Sequence, residues 1–243
     1  MERLRIVTYN IHKGVQGMGP ARRLEIHNLQ RAVAQLDAHL VCLQEVRLFH
    51  RRLQQQWAHW PAHGQADVLA PAGYQSVYRT NAITRHGEHG NALLSRWPVL
   101  AHAHHDVSDH RFEQRGLLHV EVQHPRAHLH VVVVHLGLIH ASRVRQVERL
   151  GQYLAREVPV GSPLLVAGDF NDWGQRLHGA MAELGLQAPG GRALATFPSR
   201  MPLFALDRIY ARGLHCVQAE VPRGASWARM SDHLPLVVEW ALA

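Results

Sequence analysis

The 243 residues are 47% hydrophobic and 19% charged, the balance of a folded chain with a sizeable core and not of a disordered one. No apolar run reaches the ~18 residues of a membrane helix, Met1–Asn10 lacks the long apolar region of a signal peptide, and two cysteines, Cys42 and Cys216, exclude a disulfide framework, so the expected compartment is the cytoplasm. A formal charge of +7 favours a polyanionic partner such as nucleic acid, a phosphorylated small molecule or an anionic lipid surface, although an arginine bias so strong that Lys13 is the lone lysine also fits a GC-rich coding sequence.

From the N-terminus, Leu4–Val7 is an apolar run of strand length. A helix follows, with Leu24, Leu29, Val33 and Leu36 on one face. Leu40–Leu43 is the next strand. The polar stretch from Arg47 to Gly73 reads as a long connection carrying a surface helix, with Trp57 and Trp60 packed inward, and is the expected home of substrate-specific features. Ala92–Leu94 is a further strand. Gln114–Val122 and His128–Val134, joined through His124-Pro125-Arg126, read as a pair. Val144, Val147, Leu150 and Leu154 share a helical face, with Ser142 as the N-cap. Leu164–Ala167 is a strand, Leu177–Leu184 a helix closed near Gly185, and Leu234–Val238 the last strand. Several runs show no alternation, which marks strands covered on both faces. Strands and helices stay mixed to the end with no Ser/Gly/Pro-rich linker. The expectation is therefore a mixed α/β (α+β) chain forming one domain over 1–243.

Polar residues gather at the strand ends. The first strand ends in Asn10, the second in Glu45, the Val131–Val134 run in His135, and Leu164–Ala167 runs on into Asp169, with Asn171 two residues further. Two later strands begin with the polar group instead, Asp207 before Ile209-Tyr210 and Asp232-His233 before the C-terminal run. If the later strands run antiparallel to the earlier ones, all these groups share one rim. Such a rim is costly to leave unpaired, and a hard divalent cation would neutralise it. Carboxylate and amide oxygens suit magnesium or manganese, whereas zinc calls for cysteine or closely spaced histidine. The histidines of His102-Ala-His104-His105-Asp106, and His128 with His130, read as ordinary strand-face residues of a chain that holds 21 histidines.

At these positions the chain resembles the endonuclease/exonuclease/phosphatase superfamily. The segments that carry the resemblance are Thr8-Tyr9-Asn10, Leu43-Gln44-Glu45-Val46, Gly90-Asn91-Ala92-Leu93-Leu94-Ser95-Arg96, Arg115-Gly116, Val134-His135-Leu136, Gly168-Asp169-Phe170-Asn171, Leu206-Asp207-Arg208-Ile209-Tyr210 and Ser231-Asp232-His233. They stand in family order and span nearly the whole chain. The resemblance implies a four-layer αββα sandwich of the deoxyribonuclease I-like kind, with the site at one end. It also implies hydrolysis of a phosphodiester or phosphomonoester with magnesium, or manganese in its place. By position, Glu45 is the main metal ligand, joined by Asn10 and Asp232 and by Asp169 and Asn171 at the same centre. Asp169 orients or deprotonates the attacking water. Asn171 holds a phosphate oxygen, as Asn91 is expected to do. His233 contacts the phosphate with Asp207 fixing its ring, His135 sits near the leaving group, and Arg115 sits near the phosphate.

Two positions depart from the pattern. His12 stands where AP endonucleases carry an acidic residue, and His89 falls about where pancreatic deoxyribonuclease has the glutamate that partners its first catalytic histidine, with Glu88 adjacent. The expected partner is a phosphate-ester substrate, nucleic acid slightly before a lipid headgroup or inositol phosphate, met by a monomer. A nucleic-acid-binding module without catalysis would rest on charge alone, since no RRM, KH or helix-turn-helix signature is present. A dead adaptor on the same fold would have no need to keep these charges together.

Overall fold

The computed structural model describes residues 3–17 and 21–242. In chain order the strands are β1 (Arg3–Asn10), β2 (Val15–Gln16), β3 (Arg23–Leu24), β4 (Leu40–Val46), β5 (Gln75–Thr84), β6 (Gly87–Ser95), β7 (Val99–Asp106), β8 (Gly116–His124), β9 (Ala127–His135), β10 (Leu164–Asp169), β11 (Asp207–Arg212), β12 (Leu214–Glu220) and β13 (Leu236–Leu242). The α-helices are α1 (Ile26–Gln35), α2 (Arg51–Gln56), α3 (Gln65–Leu69), α4 (His140–Glu157), α5 (His178–Glu183) and α6 (Trp227–Met230).

The strands build two mixed sheets, ordered β12-β13-β1-β4-β6-β5 and β11-β10-β9-β8-β7, beside the small β2-β3 ribbon. The sheets pack face to face. Helices α1, α3 and α6 cover the outside of the first, and α4 with α5 covers the outside of the second. The result is the four-layer αββα sandwich, with a core between the sheets and another beneath each helical layer.

The unalternating apolar runs follow from this layering. Successive side chains of a strand point to opposite faces, and here both faces are buried. In β1, Leu4 and Ile6 enter the inter-sheet core while Val7 and Tyr9 meet the helices. In β9, Val131 and Val133 point between the sheets and Val132 and Val134 point beneath α4. In β10, Leu165 and Ala167 do the first and Leu164 and Val166 the second. Gly168 is required by close packing. A β-carbon there would lie 1.9 Å from the carbonyl oxygen of Val134 on the neighbouring strand.

Local expectations need four corrections. Leu24 lies in β3 and α1 starts at Ile26. Ser142 is not a cap; it lies inside α4, Ile139 precedes the first turn, and the Ser142 hydroxyl donates to Asp109 Oδ2 at 2.7 Å. The Arg47–Gly73 connection carries two short helices, α2 and α3. Trp57 and Trp60 lie outside both, half-buried and stacked on each other with ring centres 6.0 Å apart. Finally, Leu234 and Pro235 precede the last strand, which begins at Leu236. The β8–β9 hairpin turns at Pro125-Arg126, with His124 paired to Ala127.

Candidate active site

The site grows out of the same alternation. The inward row of β1 continues from Leu4 and Ile6 through Thr8 to Asn10. Those of β9 and β10 continue from Val133 to His135 and from Ala167 to Asp169. Strands β9 and β10 are parallel and set His135 beside Asp169, while β11 runs antiparallel and sets Asp207 on the other side of Asp169. Strand β1 runs antiparallel to β13, so the Asp232-His233 turn that leads into β13 arrives at the Asn10 end. The inter-sheet core thus ends in a buried polar layer holding Asn10, Asn91, His135, Asp169, Asn171, Asp207 and His233, each at most 5% exposed.

Asp169 is the focus of this layer. Its Oδ2 accepts from Asn10 Nδ2 at 3.0 Å and lies 3.6 Å from His135 Nε2 and 3.7 Å from His233 Nε2. Its Oδ1 accepts the backbone N–H of Asn171 at 2.9 Å, an Asx-turn that places Asn171 at φ +48°. Asn171 Nδ2 then donates to the carbonyl of Leu136 at 2.9 Å, which joins the end of β10 to the end of β9. On the far side of the His233 ring, Nδ1 donates to Asp207 Oδ2 at 2.8 Å, and the same oxygen accepts from the Thr196 hydroxyl at 2.5 Å. Asp207 Oδ1 is buried without a partner among the described residues.

Burial and charge split the two histidines. Burial alone would lower His233, but Asp207 and then Asp169 outweigh it and raise its pKa to about 10, so the ring is a cation at neutral pH. His135 is driven well below its ordinary value by burial and by Arg115, and is neutral. Burial raises Asp169 to about 6 although His233 pulls against it. A carboxylate with a pKa near the operating pH suits general-base work.

Glu45 and Asp232 border the buried layer. Glu45 sits at a bulge, where the β4–β6 register shifts between Leu43 and Val46, and at φ +57°. Its carboxylate lies 2.7 Å from Lys13 Nζ. Burial pushes its pKa up, but Lys13, His135 and His12 together hold it well below the usual range. Asp232 Oδ2 lies 2.9 Å from His12 Nδ1; burial pushes its pKa up, but His12 and His233 together outweigh it and lower it. The charge of Glu45 is felt at Asp232 and His12 acts on both, so the two acids share one neighbourhood with His135 and His233.

Arg115 and Asn91 bond to backbone carbonyls beside this layer. Arg115 donates from Nε to the Leu136 carbonyl at 3.2 Å and from Nη2 to Glu113 Oε1 at 3.1 Å, with its charge felt at His135. Asn91 Nδ2 bridges the carbonyls of Gly116 and Val133 at 3.0 and 3.1 Å, which braces the strands behind Arg115 and His135. Glu88 does not approach His135. It accepts from the backbone of Leu48 at 2.5 Å and from Thr80 at 2.8 Å, and so anchors the Arg47 connection. His89 lies close enough to His135 and Glu45 to feel both, and burial lowers it to about 4.

Four participants were given no role in the site by the sequence reading. Lys13 and His12 form a tight turn at φ +60° and +45° that aims one basic side chain at each bordering acid; a single lysine among 26 basic residues was the available signal. Thr196 locks Asp207, and Ser231 donates to the Asn10 carbonyl at 2.7 Å. Acidic and histidine side chains of this layer, Asp169, Asp207 and His233, lie close enough together to hold a metal ion.

Comparison with known proteins agrees with this fold. The uncharacterized protein YbhP of Escherichia coli strain K12 is 37% identical over 97% of this chain and 95% of its own length. Among solved structures, a functionally unknown conserved protein from Enterococcus faecalis V583 superposes with a TM-score of 0.77 at 22% identity, covering 99% of this chain and 100% of that one. The mannosyl-6-phosphatase Bt3783 of Bacteroides thetaiotaomicron gives 0.74 at 17% identity over 98% and 100%. TDP2 of D. rerio, complexed with a single-strand DNA product, gives 0.69 at 15% over 99% and 100%. The Endonuclease/Exonuclease/phosphatase family profile matches residues 7–233, and the chain belongs to that family of phosphoester hydrolases.

Proposed function

We propose that this chain is a divalent-metal-dependent phosphoesterase that hydrolyses a phosphodiester in preference to a monoester, with magnesium as the cation and manganese as its substitute. The observation that carries the reading is Asp169 Oδ2, buried and set among Asn10 Nδ2, His135 Nε2 and His233 Nε2 within 3.7 Å. A carboxylate so placed can orient a water for in-line attack and take its proton. Asn10 fixes the carboxylate, and the backbone N–H of Asn171 fixes its second oxygen. His233, kept cationic by Asp207, stabilises charge on a non-bridging phosphate oxygen. Neutral His135 offers an N–H toward the leaving group, Arg115 adds positive charge beside it, and Asn171 holds a phosphate oxygen. Asn91 acts on the substrate through the strands it braces.

The donor set fits a hard cation. Glu45, Asp232 and the side-chain oxygen of Asn10 would hold it, with Asp169 and Asn171 at its edge, all through oxygen. Lys13 Nζ and His12 Nδ1 lie 2.7 and 2.9 Å from the two bordering acids, which marks where a cation would sit. A bound divalent ion neutralises the phosphate oxygens and lowers the pKa of coordinated water.

Nucleic acid is the favoured substrate class. The charge of +7 supports it, as does the likeness to TDP2 with its single-strand DNA product. The likeness to a sugar phosphatase supports the broader phosphate-ester class. The test is a metal-dependent screen of a nitrophenyl phosphodiester, plasmid DNA, oligonucleotides, sugar phosphates and phospholipid headgroups, with Asp169→Asn as control. The expected result is magnesium-dependent cleavage of diesters that the variant loses. Equal turnover by both proteins would overturn the reading.

A further inference from the structure

A second cluster of ionisable side chains lies on the outer face of the β8–β9 hairpin, away from the rim. His119 and Glu121 of β8 and His130 of β9 share that face, with Glu121 and His130 directly paired across the strands. The two rings are 5% and 4% exposed. Nε2 of His119 lies 3.0 Å from Nδ1 of His130, and one ligand atom from each of the three residues lies within 4.8 Å of the others. The surroundings are apolar. Val132 stands in the next position of the same row, and Leu150 and Leu154 of α4 pack against this face. Two imidazoles and a carboxylate are costly in such a place unless a strong partner satisfies them. Among the described residues the rings bond to each other and to Tyr153, and Glu121 enters neither contact.

We propose that His119 Nε2, His130 Nδ1 and the Glu121 carboxylate form a binding site for a borderline divalent cation of the zinc class. Two imidazole nitrogens and one carboxylate oxygen are a known zinc donor set, with water as the fourth ligand. Imidazole selects against magnesium and calcium, so the site and the catalytic rim differ in metal preference. On a tetrahedral ion with Zn–N bonds of ~2.0–2.1 Å, two nitrogens stand about 3.3 Å apart, so the rings need part by only a few tenths of an ångström. Burial lowers the pKa of both rings, which keeps them in the neutral, ligating form. The outer shell is also built. His119 Nδ1 lies 3.1 Å from the Tyr153 hydroxyl, which can accept its N–H when Nε2 takes the ion. Tyr153 belongs to α4, so a bound ion clamps the hairpin to its covering helix. The site stands independently of the reaction at the rim.

The test is zinc titration of the chelator-treated full chain in excess magnesium, read by competition with a chromophoric chelator and by the melting temperature. One tightly bound zinc that raises the melting temperature is expected. Glu121→Gln and His130→Gln each weaken it at least ~10-fold, and Tyr153→Phe weakens it about 10-fold through the outer shell. The same zinc persists in Glu45→Gln. Glu121→Gln alters only a half-buried carboxylate and so decides the matter if a histidine variant fails to fold. Absence of zinc binding, unchanged affinity in Glu121→Gln, or loss of the zinc in Glu45→Gln would each overturn the site.

Discussion

The two ends of the inter-sheet space are filled by the same inward-pointing rows and differ in everything else. At one end Leu4, Val122, Leu129, Leu214 and Trp240 close an apolar core. At the other, Asn10, His135, Asp169, Asp207 and His233 close it with groups that water would solvate better. Burial is a gain at the first end. At the second it is a cost that internal hydrogen bonds and ion pairs only partly offset, which leaves Asp207 Oδ1 unpartnered and Asp169 pushed up to about 6. The apolar end stabilises the sandwich, and the polar end gives up stability to hold reactive groups in fixed positions.

Substitutions at the two ends should therefore fail in opposite ways. The largest effect is expected for Asp169→Ala, which should lower turnover about 10³- to 10⁴-fold while urea denaturation shows no loss of stability. Trp240→Ala should do the reverse. It removes a buried ring, and denaturation should show a loss of roughly 3–5 kcal/mol with turnover per folded molecule unchanged. A large stability loss in Asp169→Ala would erase the contrast.

The pH dependence sharpens it. His233 has a folded pKa raised to about 10, above the unfolded value of about 6.5. Its stabilisation is fully present below about pH 6.5 and is lost as the pH rises through about 10. Denaturation of the metal-free protein should show this decline, and Asp207→Asn should abolish it. The smallest effect is expected for Lys13→Gln. Removing the cation that competes for Glu45 should lower the half-saturating magnesium concentration about 2- to 5-fold, the range of a partly exposed ion pair, as read from turnover against magnesium.

Much of the layering was legible because apolar runs without alternation can only be strands covered on both faces. The polar end was legible because Asn10, His135 and Asp169 simply continue rows that start apolar. What stayed hidden depended on chain reversals. Lys13 and His12 reach their acids through a left-handed turn, and the partner of His12 lies at Asp232, near the other end of the chain. Thr196 reaches Asp207 from a loop with no periodic signal. Ser142 looked like a cap because its hydroxyl could serve one, yet Asp109 takes it. His130 read as an ordinary strand residue because only strand pairing brings it to 3.0 Å from His119.

The most direct test of convergence on one metal-dependent pocket is turnover of a nitrophenyl phosphodiester against magnesium concentration, for the unaltered chain and for Glu45→Gln. The account expects no turnover after chelation, recovery on adding magnesium, and a half-saturating concentration at least ~10-fold higher in the variant. Turnover that survives chelation, or the same half-saturation in both proteins, would contradict it.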